Sequence, residues 1–151
     1  MIRFISSLLF VTMFLSLNNT LFAQDVAVCK LIGKSNSDVI KKYGKPIHQD
    51  LSNPEMQCLF YQTKDYRLVF VSNKDGVYQA EGELKYNSKE NANAVIHSFL
   101  TECISDSLLV DTVNTSEYNV KGKNFKMNIS LYENNFSKKY EVRVKANRVG
   151  G

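Results

Sequence analysis

The chain has 151 residues, 44% of them hydrophobic, and a formal charge of +4. That is enough for one domain with its own core. The charge is modest and scattered, which excludes the concentrated basic footprint of a nucleic-acid binder, and no segment has the biased composition of a disordered tail.

Residues 1–23 carry one basic residue, Arg3, and an apolar run from Phe4 to Leu17 that Asn18-Asn19-Thr20 interrupts. The run is shorter than the roughly 20 residues a bilayer span needs. With Ala23 ending the segment, this pattern predicts a secretory signal peptide cut between Ala23 and Gln24. Cys29 is not a good lipid-anchor site, because Val28 stands where a small residue is wanted. Residues 24–151 are therefore expected to form a single exported α+β domain, periplasmic or secreted, with no integral membrane span.

Gly33-Lys34-Ser35 ends like a phosphate-binding loop, whose first glycine would fall at position 28, where Val28 stands. A side chain there crowds the backbone approach that phosphate needs, so nucleotide binding is not expected. A capped helix explains the stretch better. Ser35 can cap the first turn with Asp38 three residues on, while Gly44 and Pro46 end the helix. Val39, Ile40 and Tyr43 supply an apolar stripe.

Residues 58–62 and 66–71 read as strands, and Asp75-Gly76 as a hairpin turn. Beyond it Tyr78, Ala80, Gly82, Leu84 and Tyr86 alternate with polar residues, the pattern of a strand with one dry face. Ser88 then caps a second helix with Ala92, Val95, Ile96, Phe99, Leu100 and Cys103 on one side. Two less regular strands follow at 108–113 and 116–120. After them, Phe125, Met127, Ile129 and Leu131 form one alternating set, and Tyr140, Val142, Val144 and Ala146 another. The expected architecture is α+β: two helices on one face of a largely antiparallel sheet whose other face is charged. Segments 30–86 and 88–148 are candidate sub-units, each an α-β-β-β unit.

Gly33, Ser35, Val39, Gly44 and Pro46, followed by the Cys-Leu-Phe-Tyr strand and its hairpin, resemble the SmpA/OmlA (BamE-like) group, which shares its fold with the beta-lactamase inhibitory proteins. The resemblance covers about residues 30–86 and implies a helix-on-sheet fold and a binding role in the envelope. Two departures stand out: Lys34 replaces the methionine of that pattern, and residues 87–151 lack a second Gly-x-Pro. The inhibitory proteins also tend to pair a cysteine just after the helix with one in the first strand; Ile47-His48 stand near that place, so that only Cys58 maps.

Catalytic and metal-binding patterns are sparse. His97 falls off the apolar stripe, and Cys103 lies on it, where a reactive thiolate is poorly solvated. Glu81 and Glu83 share the wet side of a strand and read as a solvated rim. Lys41-Lys42 and Lys138-Lys139 read as solvated faces. No catalytic residue, cofactor site or metal site is assigned. An exported chain with three cysteines is expected to hold one disulfide. With Cys103 on the buried stripe, Cys29 and Cys58 are the favoured pair, and the pairings Cys29–Cys103 and Cys58–Cys103 remain alternatives. The function expected is a non-catalytic binding module of the bacterial envelope that contacts another envelope or secreted protein. The alternative is a secreted inhibitor of an extracellular enzyme.

Overall fold

A computed structural model describes residues 26–150, so the signal-peptide expectation for residues 1–23 lies outside the described residues. A 3-10 turn at Val28–Leu31 leads into helix α1, Asn36–Tyr43. Strands β1 (His48–Asp50), β2 (Gln57–Gln62), β3 (Tyr66–Asn73) and β4 (Gly76–Tyr86) follow. Helix α2, Lys89–Ser105, separates them from β5 (Leu109–Asn114), β6 (Glu117–Lys121), β7 (Phe125–Asn134) and β8 (Lys139–Arg148). All neighbours pair antiparallel in one eight-stranded sheet of order β1-β2-β3-β4-β8-β7-β6-β5. Each helix thus precedes four consecutively paired strands, and the two sets meet at β4 and β8. The expected α+β class holds; β1 is a strand the sequence pattern did not show, and the second set holds the four strands read from sequence, one more than an α-β-β-β unit.

Local chemistry accounts for α1. The Ser35 hydroxyl accepts from the Asp38 amide at 3.2 Å, and the Asp38 carboxylate accepts from the Ser35 amide at 3.0 Å. These bonds satisfy donors that a helix start leaves without intrahelical partners. At the other end Gly44 has φ +80° and its amide donates to the Ile40 carbonyl at 2.8 Å. Val39 is buried and Tyr43 packs on the core, whereas Ile40 is exposed. The inward stripe therefore runs through residues four apart, and Ile40 lies one step round the helix.

The strand registers put inward residues in rows across the sheet. One row runs Leu59–Phe70–Ala80–Ala146–Met127–Val120 and the next Tyr61–Leu68–Gly82–Val144–Ile129–Tyr118. α1 covers the first end of these rows, with Tyr43 5.6 Å from the Tyr61 ring and 5.4 Å from Phe70. α2 packs over β4, β5 and β8 through its buried side chains Ala92, Ile96, Phe99, Leu100 and Cys103. Both helices lie on the same face, as the sequence pattern implied.

Between the helices lies a layer that the apolar pattern did not reveal. Val26 and Val28 are completely buried, and Leu31 and Ile32 nearly so. Gly82 lies beneath this layer: a Cβ there would crowd Val144 Cγ2 at 2.8 Å and Leu68 Cδ2 at 3.1 Å, and would meet Val28 Cγ1 in ordinary contact at 3.7 Å. The lead-in segment is therefore part of the core.

Gly33 and Lys34 clamp this segment to the sheet. The Gly33 amide donates to the Val77 carbonyl at 2.7 Å, and the Val77 amide donates to the Lys34 carbonyl at 2.8 Å. The amide a phosphate loop would offer its ligand is thus already bonded. One residue on, Tyr78 is a bulge: Val71 pairs with Gln79 and Ser72 with Val77, leaving Tyr78 without an opposite residue. The bulge turns Val77 into the core and Tyr78 out of it, so the dry face begins at Val77 and resumes its alternation at Ala80, without the Tyr78 that the sequence pattern includes.

Candidate functional site

Neither helix covers the far face of the sheet, and its residues also follow the register. One row reads Phe60–Val69–Glu81–Lys145–Asn128–Asn119. The next reads Gln62–Arg67–Glu83–Arg143–Ser130–Glu117, and beside it Lys85 stands opposite Glu141, which stands opposite Tyr132. Opposite charges face each other across the centre, an arrangement that favours the pairing.

The contacts agree with this register. Lys145 Nζ lies 2.8 Å from Glu81, and Glu83 has Arg67 at 3.7 Å, Arg143 at 3.6 Å and Lys85 at 3.7 Å. Arg143 also lies 3.6 Å from Glu141 and stacks 4.1 Å from the centre of the Tyr132 ring. A hollow of about 300 Å³ opens among Arg67, Glu81, Glu83, Ser130, Arg143 and Lys145. A neighbouring hollow of about 450 Å³, bordered by Lys121, Lys126 and Asn147, shares Asn128 and Lys145 with it. The face is thus an indented, charge-paired platform. Glu81 and Glu83, read from sequence as a solvated rim, line the first of these hollows and are paired with cations.

Glu141 anchors one side. It is only 2% exposed, yet it is ionisable. The Tyr132 hydroxyl donates to one carboxylate oxygen, and Asn134 Nδ2 donates to the other at 2.7 Å. Burial would raise the carboxyl pKa, but the bonds from Tyr132 and Asn134, with Lys85 and Arg143 nearby, hold it below its ordinary value of 4.5. Burial, then the same hydrogen bond, push the Tyr132 hydroxyl well above its usual range.

A depressed carboxyl stabilises the fold above its unfolded pKa, and that contribution disappears as pH falls through the folded value. Wild-type stability should accordingly fall as pH drops below 4.5, and Glu141→Gln should flatten that part of the decline. Glu141→Ala should cost about 2–3 kcal/mol near neutrality by stranding the Tyr132 and Asn134 donors. Urea titrations at stepped pH measure both effects.

Beyond the Tyr132–Glu141 pair, the β7–β8 hairpin presents Phe136 fully exposed. Asn134 shapes this tip, its side-chain oxygen accepting from the Phe136 and Ser137 amides at 3.0 and 3.1 Å. The sequence marks Glu133-Asn134-Asn135 as a turn. An aromatic residue just after three polar turn residues was the available sign that the tip carries an apolar group.

The cysteines separate by face. Leu59 and Tyr61 point into the core, and alternation sends Cys58 to the open side, where its thiol lies 3.9 Å from the Met56 carbonyl. Cys29 is buried under the other face, in a cavity of about 200 Å³ that Cys103 also lines. The favoured pair Cys29 and Cys58 is not brought together, and all three thiols are free in the structure. Desolvation pushes Cys29 up to about 12, with Cys103 adding to the rise, and pushes Cys103 up to about 11. His48 and His97 are both exposed, and neither lines the Cys103 cavity. Among the described residues no helix is long and apolar enough to cross a membrane, and no cluster of three or more His, Cys, Asp or Glu could hold a metal.

No protein-family model matches the chain, and no curated protein sequence matches it. Among solved structures, it is similar to an extracellular protein containing an SCP domain from Bacillus anthracis, at 14% identity and TM-score 0.45. That match covers 80% of this chain and 45% of the other. A cysteine-rich secretory protein from Staphylococcus aureus matches at 12% identity and TM-score 0.43, over 78% of this chain and 44% of the other. The chain thus spans less than half the length of these proteins, and similarity this distant carries no functional argument. The SmpA/OmlA (BamE-like) reading is corrected: no family model matches the chain, and the two similar structures named above are an SCP-domain protein and a cysteine-rich secretory protein. The residues that suggested it have local explanations. Gly33 pairs with β4, Ser35 and Gly44 cap α1, and Val39 fills the core.

Proposed function

We propose that the protein is an exported, non-catalytic binding module, periplasmic or secreted, that uses the open face of its sheet to contact another envelope or secreted protein. The observation that carries this reading is the uncovered platform formed by Arg67, Glu81, Glu83, Arg143 and Lys145. Exposed ion pairs of this kind contribute only about 0–1 kcal/mol each to folding. Fold stability alone is therefore a poor reason for assembling three of them on one surface. Paired charges give an interface electrostatic register and selectivity, and Phe136 adds an aromatic side chain of the type that anchors interfaces. Export rests on the leader pattern of residues 1–23.

Two experiments test the proposal. Expressed with its leader in its native host, the protein should be recovered outside the cytoplasm with an amino terminus at Gln24. Retention in the membrane after a carbonate wash would refute the export half. For the binding half, Arg67→Glu with Arg143→Glu should abolish capture of the partner that wild type retains from the envelope or secreted fraction. Glu90→Lys on α2 should leave that capture intact. Phe136→Ala should weaken it about tenfold or more while changing stability by less than about 0.5 kcal/mol. Loss of capture with the α2 variant alone would put the surface on the wrong side of the molecule.

A further inference from the structure

Two chain segments far apart in sequence converge at the cavity behind Phe99. Lys30 Nζ pairs with the Glu102 carboxylate, 72 positions away. The neighbours of those two residues, Cys29 and Cys103, both line the cavity, together with Phe99, Leu108 and Phe125. Cys103 also acts electrostatically on the Cys29 thiol, which places the two within range of each other. Cys58, on the opposite face of the sheet, is separated from both by the sheet itself.

We infer that Cys29 and Cys103 are the pair that closes to an intramolecular disulfide, tying the lead-in segment to the last turn of α2, while Cys58 stays free. The cavity supplies what closure needs. Its volume of about 200 Å³ gives the sulfurs space to move, and Lys30, Glu102 and Asp106 give it a polar edge. The oxidant is a small-molecule or protein disulfide. One cysteine, as thiolate, attacks a sulfur of that disulfide, breaking its S–S bond and releasing one thiol. The second cysteine, giving up its proton, then attacks the protein sulfur of the mixed disulfide. The Cys29–Cys103 bond forms and a second thiol leaves. Two cysteines lose two electrons and two protons, and the oxidant's disulfide is reduced to two thiols.

The environment also sets the rate and the readout. Buried, protonated thiols attack slowly, so closure should accelerate as pH rises. Lys30, Lys42, Glu102 and Asp106 are the charged groups that act on the two thiols. In the reduced protein the raised thiol values stabilise the fold below the unfolded value of 9.0 and cease to do so as pH climbs towards the folded ones. The oxidised protein has no such titration, so the two forms should diverge most in alkaline solution.

The geometry holds whether or not the chain is exported, so the test supplies its own oxidant. The purified full-length mature chain is equilibrated at mildly alkaline pH with oxidised glutathione or with a reducing thiol, then alkylated and mapped without reduction. The expected map contains one peptide linking Cys29 to Cys103 and an alkylated Cys58. The oxidised form should melt higher by about 10 °C. Cys58→Ser should keep that rise, and Cys29→Ala and Cys103→Ala should each remove it. If either alanine variant fails to fold, the wild-type map decides alone. An internal disulfide containing Cys58, or all three cysteines alkylated after oxidation, would overturn the inference.

Discussion

Phe99→Ala is expected to lower folding stability by about 3–5 kcal/mol. Phe99 is 1% exposed and sits on the face of α2 that meets the sheet, in one core with Phe125, Ile129 and Val142. Truncation removes a ring from close packing, and the surrounding strands are held by their pairing and collapse only partly. The lost transfer energy and the residual cavity therefore add. Equilibrium urea unfolding gives the number directly. A loss below about 1 kcal/mol, the ordinary size of an unremarkable substitution, would mean that α2 does not pack as described.

Gly76→Ala is expected to cost about 3 kcal/mol or more, for a different reason. Gly76 has φ +94°, and a Cβ there would stand 2.8 Å from the carbonyl oxygens of both Gly33 and Lys34. The left-handed backbone alone costs an alanine about 1–2 kcal/mol. The remainder comes from prising apart the clamp between the lead-in segment and β4, since the obstructing atoms are backbone. Gly44, at φ +80° and ψ −162°, also has a backbone that only glycine adopts readily, but nothing lies within 4 Å of its missing Cβ, so Gly44→Ala should show a backbone cost alone. A loss at Gly76 of no more than about 2 kcal/mol, the left-handed backbone cost by itself, would show that the clamp contributes nothing.

These two sites mark where the sequence was legible and where it was not. α2 could be read because its apolar residues recur at helical spacing over the whole element. β7 and β8 could be read because Phe125, Met127, Ile129 and Leu131, and likewise Val142, Val144 and Ala146, alternate without interruption. The ends of α1 were written in Ser35, Asp38 and Gly44, whose cap chemistry is local. β1 escaped because His48, Gln49 and Asp50 are all exposed, so an edge strand held only by backbone pairing to β2 leaves no apolar rhythm. The bulge at Tyr78 escaped because an aromatic residue fits the alternation it actually breaks.

Long-range complementarity was the least visible. Val28 looks like a residue ahead of the fold, and its burial shows only once the lead-in segment is seen packed on β4, β7 and β8. The candidate site divides in the same way. Alternation predicted a wet, charged face carrying Glu81 and Glu83, but the register that sets them against Lys145, Arg67 and Arg143 required the pairing of strands. Alternation with Tyr140, Val142 and Val144 puts Glu141 on that wet face as well. Its burial arises from Tyr132 and Asn134 on the neighbouring strand, which no reading of β8 alone contains. Cys58 was within reach, since inward Leu59 and Tyr61 already imply that it faces the other way.

Site-specific photo-crosslinking in the native host tests the central claim most directly. A benzophenone side chain is placed at Asn128 or Ser130, on the open face, and in separate variants at Glu90 or Ala94, on the exposed side of α2. Irradiation should yield one discrete adduct with an envelope or secreted protein from the sheet positions and none from the helix positions. Adducts from α2 alone, with the sheet positions silent, would contradict the assignment of the open face as the binding surface.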